Sequence, residues 1–281
     1  MFQWFDLPGL RMHAAVDGPE DGPLLLLLHG FPELWYSWRR QIPVFVQAGY
    51  RVVAPDQRGY HLTDKSPPFD IHTLVEDIVH LILACERQKA RVVGHDWGAA
   101  IAWSLAALHP ERVERLAILN VPHPAVMSRA LQGGSLRQII KSWYIFFFQL
   151  PRLPEWLLSA RNYAGLARML CSSSLPSTFS IQDLAEYRKA WAQPGALRAM
   201  IGWYRALLRP GLRQQADLAV KIQTPTLVIW GEKDLALSTT LAEESLEWTE
   251  NGRLVRFPDA THWVHEDMPA EVNRLLLEHF A

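Results

Sequence analysis

Three polar side chains with catalytic potential stand just after apolar runs of the sequence. Asp96 is the centre of GHDWG, residues 94–98, and lies between the apolar runs RVV and AAIAW. This G-x-nucleophile-x-G frame is typical of a nucleophile elbow, a sharp strand-to-helix turn that needs small flanking residues. Asp234 follows TLVIWGEK, and His262 follows RLVRFPDAT. Elbow hydrolases carry nucleophile, acid and histidine in this chain order. The sequence therefore predicts Asp96, Asp234 and His262 as a catalytic triad.

A carboxylate at the nucleophile position indicates what kind of substrate carbon is attacked. A serine that attacked a saturated carbon would form an ether, which an activated water does not cleave. Asp96 would form an ester instead, and water can cleave an ester at its carbonyl in a second step. We expect His262, oriented by Asp234, to activate that water. The predicted substrate carries an electrophilic saturated carbon.

A second loop with a role in the reaction is predicted at HGFP, residues 29–32, which follows the apolar run PLLLLL. Elbow hydrolases take one oxyanion-hole amide from such a loop and another from the residue after the nucleophile. The backbone N–H groups of Phe31 and Trp97 are therefore the predicted oxyanion donors. Phe31, Pro32 and Trp97 are also expected to line the substrate site.

The elements around these loops alternate between strand and helix in most of the chain. Apolar runs such as PLLLLL and ARVV predict strands buried on both faces, and DIHTLVEDIVHLIL has the spacing of an amphipathic helix. This alternation predicts an α/β fold with a mostly parallel sheet. Strand signals stop between residues 123 and 220, where helical segments broken by proline take their place. These predicted helical segments are residues 135–159, 164–170 and 180–209. We expect a core domain of residues 1–122 and 221–281 and an inserted helical cap of residues 123–220.

Composition excludes several other classes of protein. The 281 residues include 28 basic and 29 acidic side chains with no basic block, which disfavours nucleic acid as a partner. No apolar run reaches the roughly 20 residues of a membrane span, and the N-terminus has no signal-peptide pattern. The two cysteines are far apart and have no metal-ligand spacing, which favours a cytoplasmic protein without disulfides or a metal.

Six motifs together point to a known family. HGFPE, PDQRGY, GHDWGAAIAW, ILNVP, PTLVIWGEKD and THWVHEDMPAEVN, in this order, closely resemble the epoxide hydrolases of the α/β-hydrolase fold over nearly the whole chain. The resemblance implies a mostly parallel central sheet flanked by helices, with an inserted helical cap. It also implies conversion of an apolar epoxide and water to a vicinal diol, no cofactor, and a monomer or homodimer. Asp96 would be the nucleophile, and Asp234 and His262 would complete the triad.

The cap carries a further part of this resemblance. SWYIFFFQLPRLPEW and GWYRALLR resemble the two family segments whose tyrosines hold the epoxide oxygen, which implies this role for Tyr144 and Tyr204. QLPRLPEW departs from the commoner Q-x-P-G-x-A-E pattern, so the resemblance leaves substrate preference open. The apolar run YIFFFQL favours a cap helix over the active-site cavity, with lipid contact as the less favoured interpretation.

Two other functions remain compatible with parts of the sequence. A haloalkane dehalogenase uses the same aspartate nucleophile and ester, and Trp97 would supply an indole N–H to the halide. That family typically adds an asparagine or a second tryptophan, whereas Phe31 follows His29-Gly30 here. A non-catalytic binding protein on the same fold has no need of a triad with two tyrosines. His95 has no assigned role, and packing beside the elbow is the expectation for it.

Overall fold

Eight strands form a single sheet in the computed structural model, which describes residues 1–134, 136–207 and 217–281. The strands are β1 (Phe2–Leu7), β2 (Leu10–Asp17), β3 (Leu24–Leu28), β4 (Arg51–Pro55), β5 (Ala90–His95), β6 (Val113–Leu119), β7 (Thr226–Gly231) and β8 (Gly252–Phe257). Their spatial order is β1-β2-β4-β3-β5-β6-β7-β8. The pairs β1–β2 and β2–β4 are antiparallel, and every other neighbouring pair is parallel. The sheet is therefore mostly parallel, as predicted.

Strand β3 has no polar residue because both of its faces are buried. All five leucines are buried, and alternate side chains point to opposite faces of the sheet. Leu24, Leu26 and Leu28 join one apolar cluster, whereas Leu25 and Leu27 join another. Both faces of this strand are covered, which is the usual state of a parallel sheet.

Helices cover both faces of the sheet. The α-helices are α1 (Ile42–Gln47), α2 (Ile71–Ala84), α3 (Trp97–Leu108), α4 (Pro124–Arg129), α5 (Leu136–Lys141), α6 (Trp143–Phe147), α7 (Leu153–Ser173), α8 (Ile181–Trp191), α9 (Ala196–Leu207), α10 (Thr240–Leu246), α11 (Val264–Asp267) and α12 (Pro269–Phe280). Short 3₁₀ helices span Trp35–Trp38 and Pro110–Arg112, and a π-helical turn spans Ala130–Gly134. Helices α2 and α3 contribute to one apolar cluster, and α1 and α12 contribute to the other.

The segment between β6 and β7 is helical. Its described part contains α4 to α9 and no strand, in agreement with the sequence pattern. Residue 135 and residues 208–209, which belong to predicted helical segments, lie outside the described residues. Helix α7 contains a break at Ala160–Tyr163, where the backbone leaves the helical region. The break separates the two segments that the sequence predicts as separate helices.

The strand polarity brings the predicted catalytic loops together. Strands β3, β5, β6, β7 and β8 run parallel to one another, so their carboxyl ends meet at one edge of the sheet. Asp96 follows β5 directly, and Asp234 and His262 lie in the loops after β7 and β8. Ligands of open α/β sheets bind at this edge. Among the helices described here, none is long and apolar enough to cross a membrane.

Candidate active site

The turn between β5 and α3 holds Asp96 in a conformation that few non-glycine residues adopt. Its φ is 49° and its ψ is −124°. A Cβ atom on Gly98 would lie 2.1 Å from the Leu28 carbonyl oxygen, and one on Gly94 would lie 2.4 Å from the Gly98 carbonyl oxygen. The glycines therefore allow the elbow to pack against the end of β3, and this packing holds the strained residue in place. This is the strand–turn–helix context that the GHDWG motif predicts.

Asp96, His262 and Asp234 form a hydrogen-bonded line. His262 Nε2 lies 3.4 Å from Asp96 Oδ2, and His262 Nδ1 lies 2.7 Å from Asp234 Oδ2. The other Asp234 oxygen accepts hydrogen bonds from the backbone N–H groups of Ala236 (2.7 Å) and Leu237 (2.9 Å). Both oxygens of the acid are thus held, and the structure brings together the three residues that the sequence selects.

The carboxylates of Asp96 and Asp234 determine the protonation state of His262. Burial lowers the pKa of His262, but the Asp234 and Asp96 carboxylates outweigh burial and hold this pKa well above its ordinary value. Burial raises the pKa of Asp234, but His262, Asn120 and the Leu237 amide bring it below its ordinary value. The resting site therefore holds a charged imidazolium between two carboxylates at neutral pH.

The HGFP loop lies against the nucleophile. The backbone N–H of Phe31 donates to Asp96 Oδ1 at 2.7 Å. A Cβ atom on Gly30 would lie 2.3 Å from Asp96 Cβ, so glycine is required for this approach. Trp97 is the first residue of α3, and its backbone N–H has no acceptor within the helix. The Phe31 amide is therefore bonded to the Asp96 carboxyl group, and the Trp97 amide follows Asp96 directly in the chain.

The two predicted tyrosines lie together above the elbow. Tyr144 is on α6 and Tyr204 is on α9, and their ring centroids are 5.8 Å apart. The ring centroid of Tyr204 also lies 5.3 Å from that of Phe31 and 5.1 Å from that of Trp97. Burial and the Asp96 carboxylate raise the pKa of Tyr144 and of Tyr204. Both hydroxyls therefore keep their protons at neutral pH and can donate them.

Tryptophan side chains attach the helical segment to the loops of the site. Pro32 is buried, and its carbonyl oxygen accepts a hydrogen bond from Trp191 Nε1 of α8 at 2.6 Å. Trp203 of α9 donates from Nε1 to the Arg58 carbonyl oxygen at 3.0 Å. These bonds fix α8 and α9, and therefore Tyr204, relative to the elbow.

His95, which the sequence left without a role, connects two loops of the site. Its Nδ1 lies 2.8 Å from Glu33 Oε2, and its Nε2 lies 2.9 Å from the backbone oxygen of His262. Glu33 Oε2 also accepts the Gly30 N–H at 2.9 Å. The ring packs 4.8 Å from that of His262. His95 therefore packs beside the elbow and also joins the HGFP loop to the histidine loop.

Two side chains that sequence reasoning did not select hold parts of the site. Asn120, at the carboxyl end of β6, donates from Nδ2 to Asp234 Oδ2 at 2.9 Å and accepts the Gly231 N–H at 2.9 Å. Glu33 is 1% exposed and bonds to the HGFP loop and to His95. The positions of these two residues in the sequence were the signal that could have indicated them. A polar residue at the end of a buried strand or in a catalytic loop usually has a hydrogen-bond partner.

Two groups in the described part of the chain have side chains of types that bind metal ions. They are His13, Asp56 and His61, and Glu33, His95 and His265, with candidate atoms within 4.8 Å of one another in each group. In the first group both histidine Nδ1 atoms lie at hydrogen-bond distance from Asp56 Oδ2, at 2.6 and 2.8 Å. Zinc ligands stand about 2.0–2.2 Å from the metal, on separate sides of it. The close contacts fit imidazole N–H donors on a carboxylate.

Comparison with known proteins identifies the class. The family model of the alpha/beta hydrolase fold matches residues 23–269. The chain is 45% identical over 280 residues to the AB hydrolase superfamily protein YfhM of Bacillus subtilis, covering 99% of this chain and 96% of that protein. The chain belongs to the alpha/beta hydrolase fold family.

The relatives within this family include epoxide hydrolases. Epoxide hydrolase A of Mycobacterium tuberculosis is 34% identical over 307 residues, with 97% of this chain and 95% of that protein covered. The crystal structure of Bacillus megaterium epoxide hydrolase in complex with an inhibitor superposes with a TM-score of 0.89 at 29% identity, covering 99% of both chains. The predicted resemblance to the epoxide hydrolases is confirmed.

Proposed function

We propose that the chain is an epoxide hydrolase that converts an apolar epoxide and water to a vicinal diol through an ester on Asp96. The relatives at 34–37% identity named epoxide hydrolases support this activity. The observation that carries the proposal in this molecule is the arrangement around Asp96. One carboxylate oxygen accepts the Phe31 amide, the other faces His262, and Tyr204 lies over the neighbouring Trp97.

In the first step Asp96 Oδ2 attacks a ring carbon of the epoxide, because Oδ1 is held by the Phe31 N–H. A new C–O bond forms, and the ring C–O bond breaks with its electron pair on the ring oxygen. Tyr144 and Tyr204 hydrogen-bond to that oxygen, and one of them supplies a proton to the developing alkoxide. The resulting tyrosinate is reprotonated at the expense of the His262 imidazolium, which becomes neutral. The raised pKa of both tyrosines keeps the donors protonated until the alkoxide forms.

In the second step His262 becomes a base because the first step removes a charge. The carboxylate of Asp96 is one of the groups that raise the pKa of His262, and an ester on Asp96 is neutral. The pKa of His262 therefore falls when the ester forms. His262 then accepts a proton from water, which attacks Asp96 Cγ. The oxyanion forms on Oδ1, where the Phe31 and Trp97 amides stabilise it. When it collapses, the bond from Cγ to the former Oδ2 breaks, and the departing alkoxide takes the proton of the newly added hydroxyl. The diol, the Asp96 carboxylate and the His262 imidazolium are the products.

The environment of Trp97 favours an epoxide over a haloalkane. A halide leaving group needs N–H donors, whereas an alkoxide needs a proton donor. The Trp97 ring packs edge-on against Tyr204, and the hydroxyls of Tyr204 and Tyr144 remain protonated. The site therefore offers two protonated O–H donors, and the Trp97 ring packs against one of them. Phe31, Pro32 and Trp97 complete the proposed lining for an apolar substrate.

Parallel assays distinguish the two activities. The protein is incubated with styrene oxide and, separately, with 1-bromobutane, and diol and bromide are quantified. We expect diol from styrene oxide. Bromide without diol would assign the aspartate to dehalogenation instead.

Three expectations from the sequence accompany this proposal. Residues 123–220 act as the cap that carries Tyr144 and Tyr204 over a core formed by residues 1–122 and 221–281. A cytoplasmic location and a monomeric or homodimeric state stay predictions of the sequence.

A further inference from the structure

The outer side of the proposed cap carries a dense set of exposed apolar side chains. Fifteen large hydrophobic residues of the described chain are exposed, and seven of them fall within the eighteen residues 140–157. These seven are Ile140, Trp143, Phe146, Leu150, Leu153, Trp156 and Leu157, hereafter the cap surface. The two tryptophans are 64% and 67% exposed. Scattered exposed apolar residues are ordinary, whereas a cluster in one segment marks an interaction site.

The spacing of these residues puts them on outward faces of neighbouring helices. Ile140, Trp143 and Phe146 recur every third residue across α5 and α6, and Leu153, Trp156 and Leu157 have i, i+3, i+4 spacing on α7. The buried side of α6 carries Ile145, followed by the buried Phe148. The cap surface is therefore the outer side of the hairpin that holds Tyr144.

Arg205 holds the two helices of this hairpin together. Its guanidinium donates to the backbone oxygens of Phe148 (3.0 Å) and Leu150 (2.7 Å) and to Glu155 (2.7 Å). The bonds link the end of α6 to the start of α7. Arg205 thereby ties the chain after α6 to the first turn of α7, so that the cap surface belongs to one connected unit.

The segment that carries the cap surface is rich in basic residues. Residues 123–182 contain six basic side chains and a single acidic one, Glu155, in a chain that has 28 basic and 29 acidic residues in all. Glu155 is occupied by its ion pair with Arg205. Arg152 and Arg161, which flank the α7 part of the surface, are exposed. The surface is thus apolar with a basic border.

We propose that the cap surface docks peripherally onto a membrane that contains anionic lipids. Tryptophan is enriched at the membrane–water interface, and arginines beside an apolar helix face add attraction to anionic headgroups. A second copy of the chain fits less well, because pairing this face with itself would bring Arg152 and Arg161 against their counterparts. Docking would hold the cap, with Tyr144 on its inner side, over the phase in which apolar epoxides dissolve. This consequence of docking rests on the proposed function.

The test uses vesicle co-sedimentation without substrate, so that its outcome is independent of the catalytic proposal. The full chain is mixed with vesicles of phosphatidylcholine alone or with about one third phosphatidylglycerol. We expect binding to the anionic vesicles, weakened by salt. Trp143→Ser combined with Trp156→Ser should weaken binding at least about tenfold, because two interfacial indoles are lost. Arg152→Glu with Arg161→Glu should weaken it by at least about 25-fold, because each removed positive charge is worth roughly fivefold.

Matched controls make the result decisive. Trp4→Ser, an exposed tryptophan on β1, and Leu83→Ser, on α2, remove apolar side chains elsewhere and should leave vesicle binding unchanged. Urea denaturation of the double tryptophan variant should give the same midpoint as the parent, which shows an intact fold. Absence of vesicle binding, or equal binding by the double variant, would overturn the proposal. A concentration-dependent dimer that the same double variant abolishes, without vesicle binding, would instead assign the surface to a second copy.

Discussion

His262 changes from an imidazolium to a base during the proposed reaction because the charge of Asp96 sets its protonation state. In the resting site two carboxylates hold His262 as an imidazolium, with its pKa well above the ordinary value. Such a histidine cannot act as a base. Ester formation on Asp96 removes one of the two negative charges, and the histidine becomes able to take a proton from water. The order of the two steps therefore follows from electrostatics within three residues.

The variant His262→Gln should separate the two steps. Asp96 can still attack the epoxide, whereas no base remains to activate water, so the alkyl-enzyme ester should accumulate. Intact-protein mass spectrometry should show an added mass equal to that of the epoxide. In the matched control Asp96→Asn no such adduct is expected. An unmodified His262→Gln protein after incubation with an epoxide that it binds would contradict the ester mechanism.

Residue identities at the site were predictable where chain order carries the information. Asp96, Asp234 and His262 follow the order of elbow hydrolases, and the Phe31 amide follows from the position of its loop. Asn120 contacts Asp234 across 114 positions and Glu33 contacts His95 across 62, and such pairings come from the fold rather than from a local pattern. The pKa of His262 likewise depends on distances that only the folded chain defines.

At the scale of elements, the elbow depends on how closely α3 approaches β3. A Cβ atom on Gly98 would lie 2.1 Å from the Leu28 carbonyl oxygen, and backbone cannot move aside as a flexible side chain can. Gly98→Ala should therefore lower the free energy of unfolding by at least about 2 kcal/mol. Urea denaturation measures this change.

Gly165 provides the control for this substitution within another helix. A Cβ atom there would meet only the Leu157 carbonyl oxygen, at 4.0 Å. Gly165→Ala should leave stability unchanged or raise it by up to about 1 kcal/mol, because alanine is the better helix former. Equal destabilisation by both substitutions would show that close packing at the elbow is not the cause.

The strands were more predictable than the helices of the segment between β6 and β7. Buried strands such as Leu24–Leu28 are continuous apolar runs that few other elements imitate. Helix α7 is different, because its break at Ala160–Tyr163 includes Arg161, Asn162 and Tyr163 at positive φ. Periodicity gives no sign of left-handed backbone at residues that are not glycine, so only the existence of two helical pieces was foreseen.

For the molecule as a whole, buried histidines couple stability to pH. His123 is the N-cap residue of α4 and is fully buried. Its ring stacks on Trp248, with ring centroids 5.0 Å apart. Burial lowers the pKa of His123 to about 4. The unfolded chain has an ordinary histidine pKa of about 6.5 and therefore binds the proton first as the pH falls. His123 thus reduces stability progressively between about pH 6.5 and 4.

Comparison of the parent with His123→Gln isolates this contribution. Glu266, whose pKa burial raises to about 7, acts in the opposite direction over much of the same range, but it does so in both proteins. The variant should lose less unfolding free energy on acidification, by up to about 1.4 kcal/mol per pH unit. Urea denaturation between pH 7 and 4 measures the two profiles. Parallel profiles would mean that His123 titrates normally in the folded protein.

The relation between the helical segment and the sheet was the least predictable feature. The sequence indicates that helices interrupt the α/β pattern, but not how they attach. Trp191 reaches Pro32 across 159 positions and Trp203 reaches Arg58 across 145. These contacts join segments that no local pattern relates, and they determine where Tyr204 lies.

The central claim is that Asp96, rather than water, forms the bond to the epoxide carbon. A single turnover in ¹⁸O-labelled water, with enzyme in excess over the epoxide, tests it directly. The diol should carry an unlabelled oxygen taken from Asp96, and mass spectrometry of the digested protein should show ¹⁸O in the peptide that contains this residue. Label in the first-turnover diol together with an unlabelled Asp96 peptide would mean that water attacks the ring directly, and the ester mechanism would be wrong.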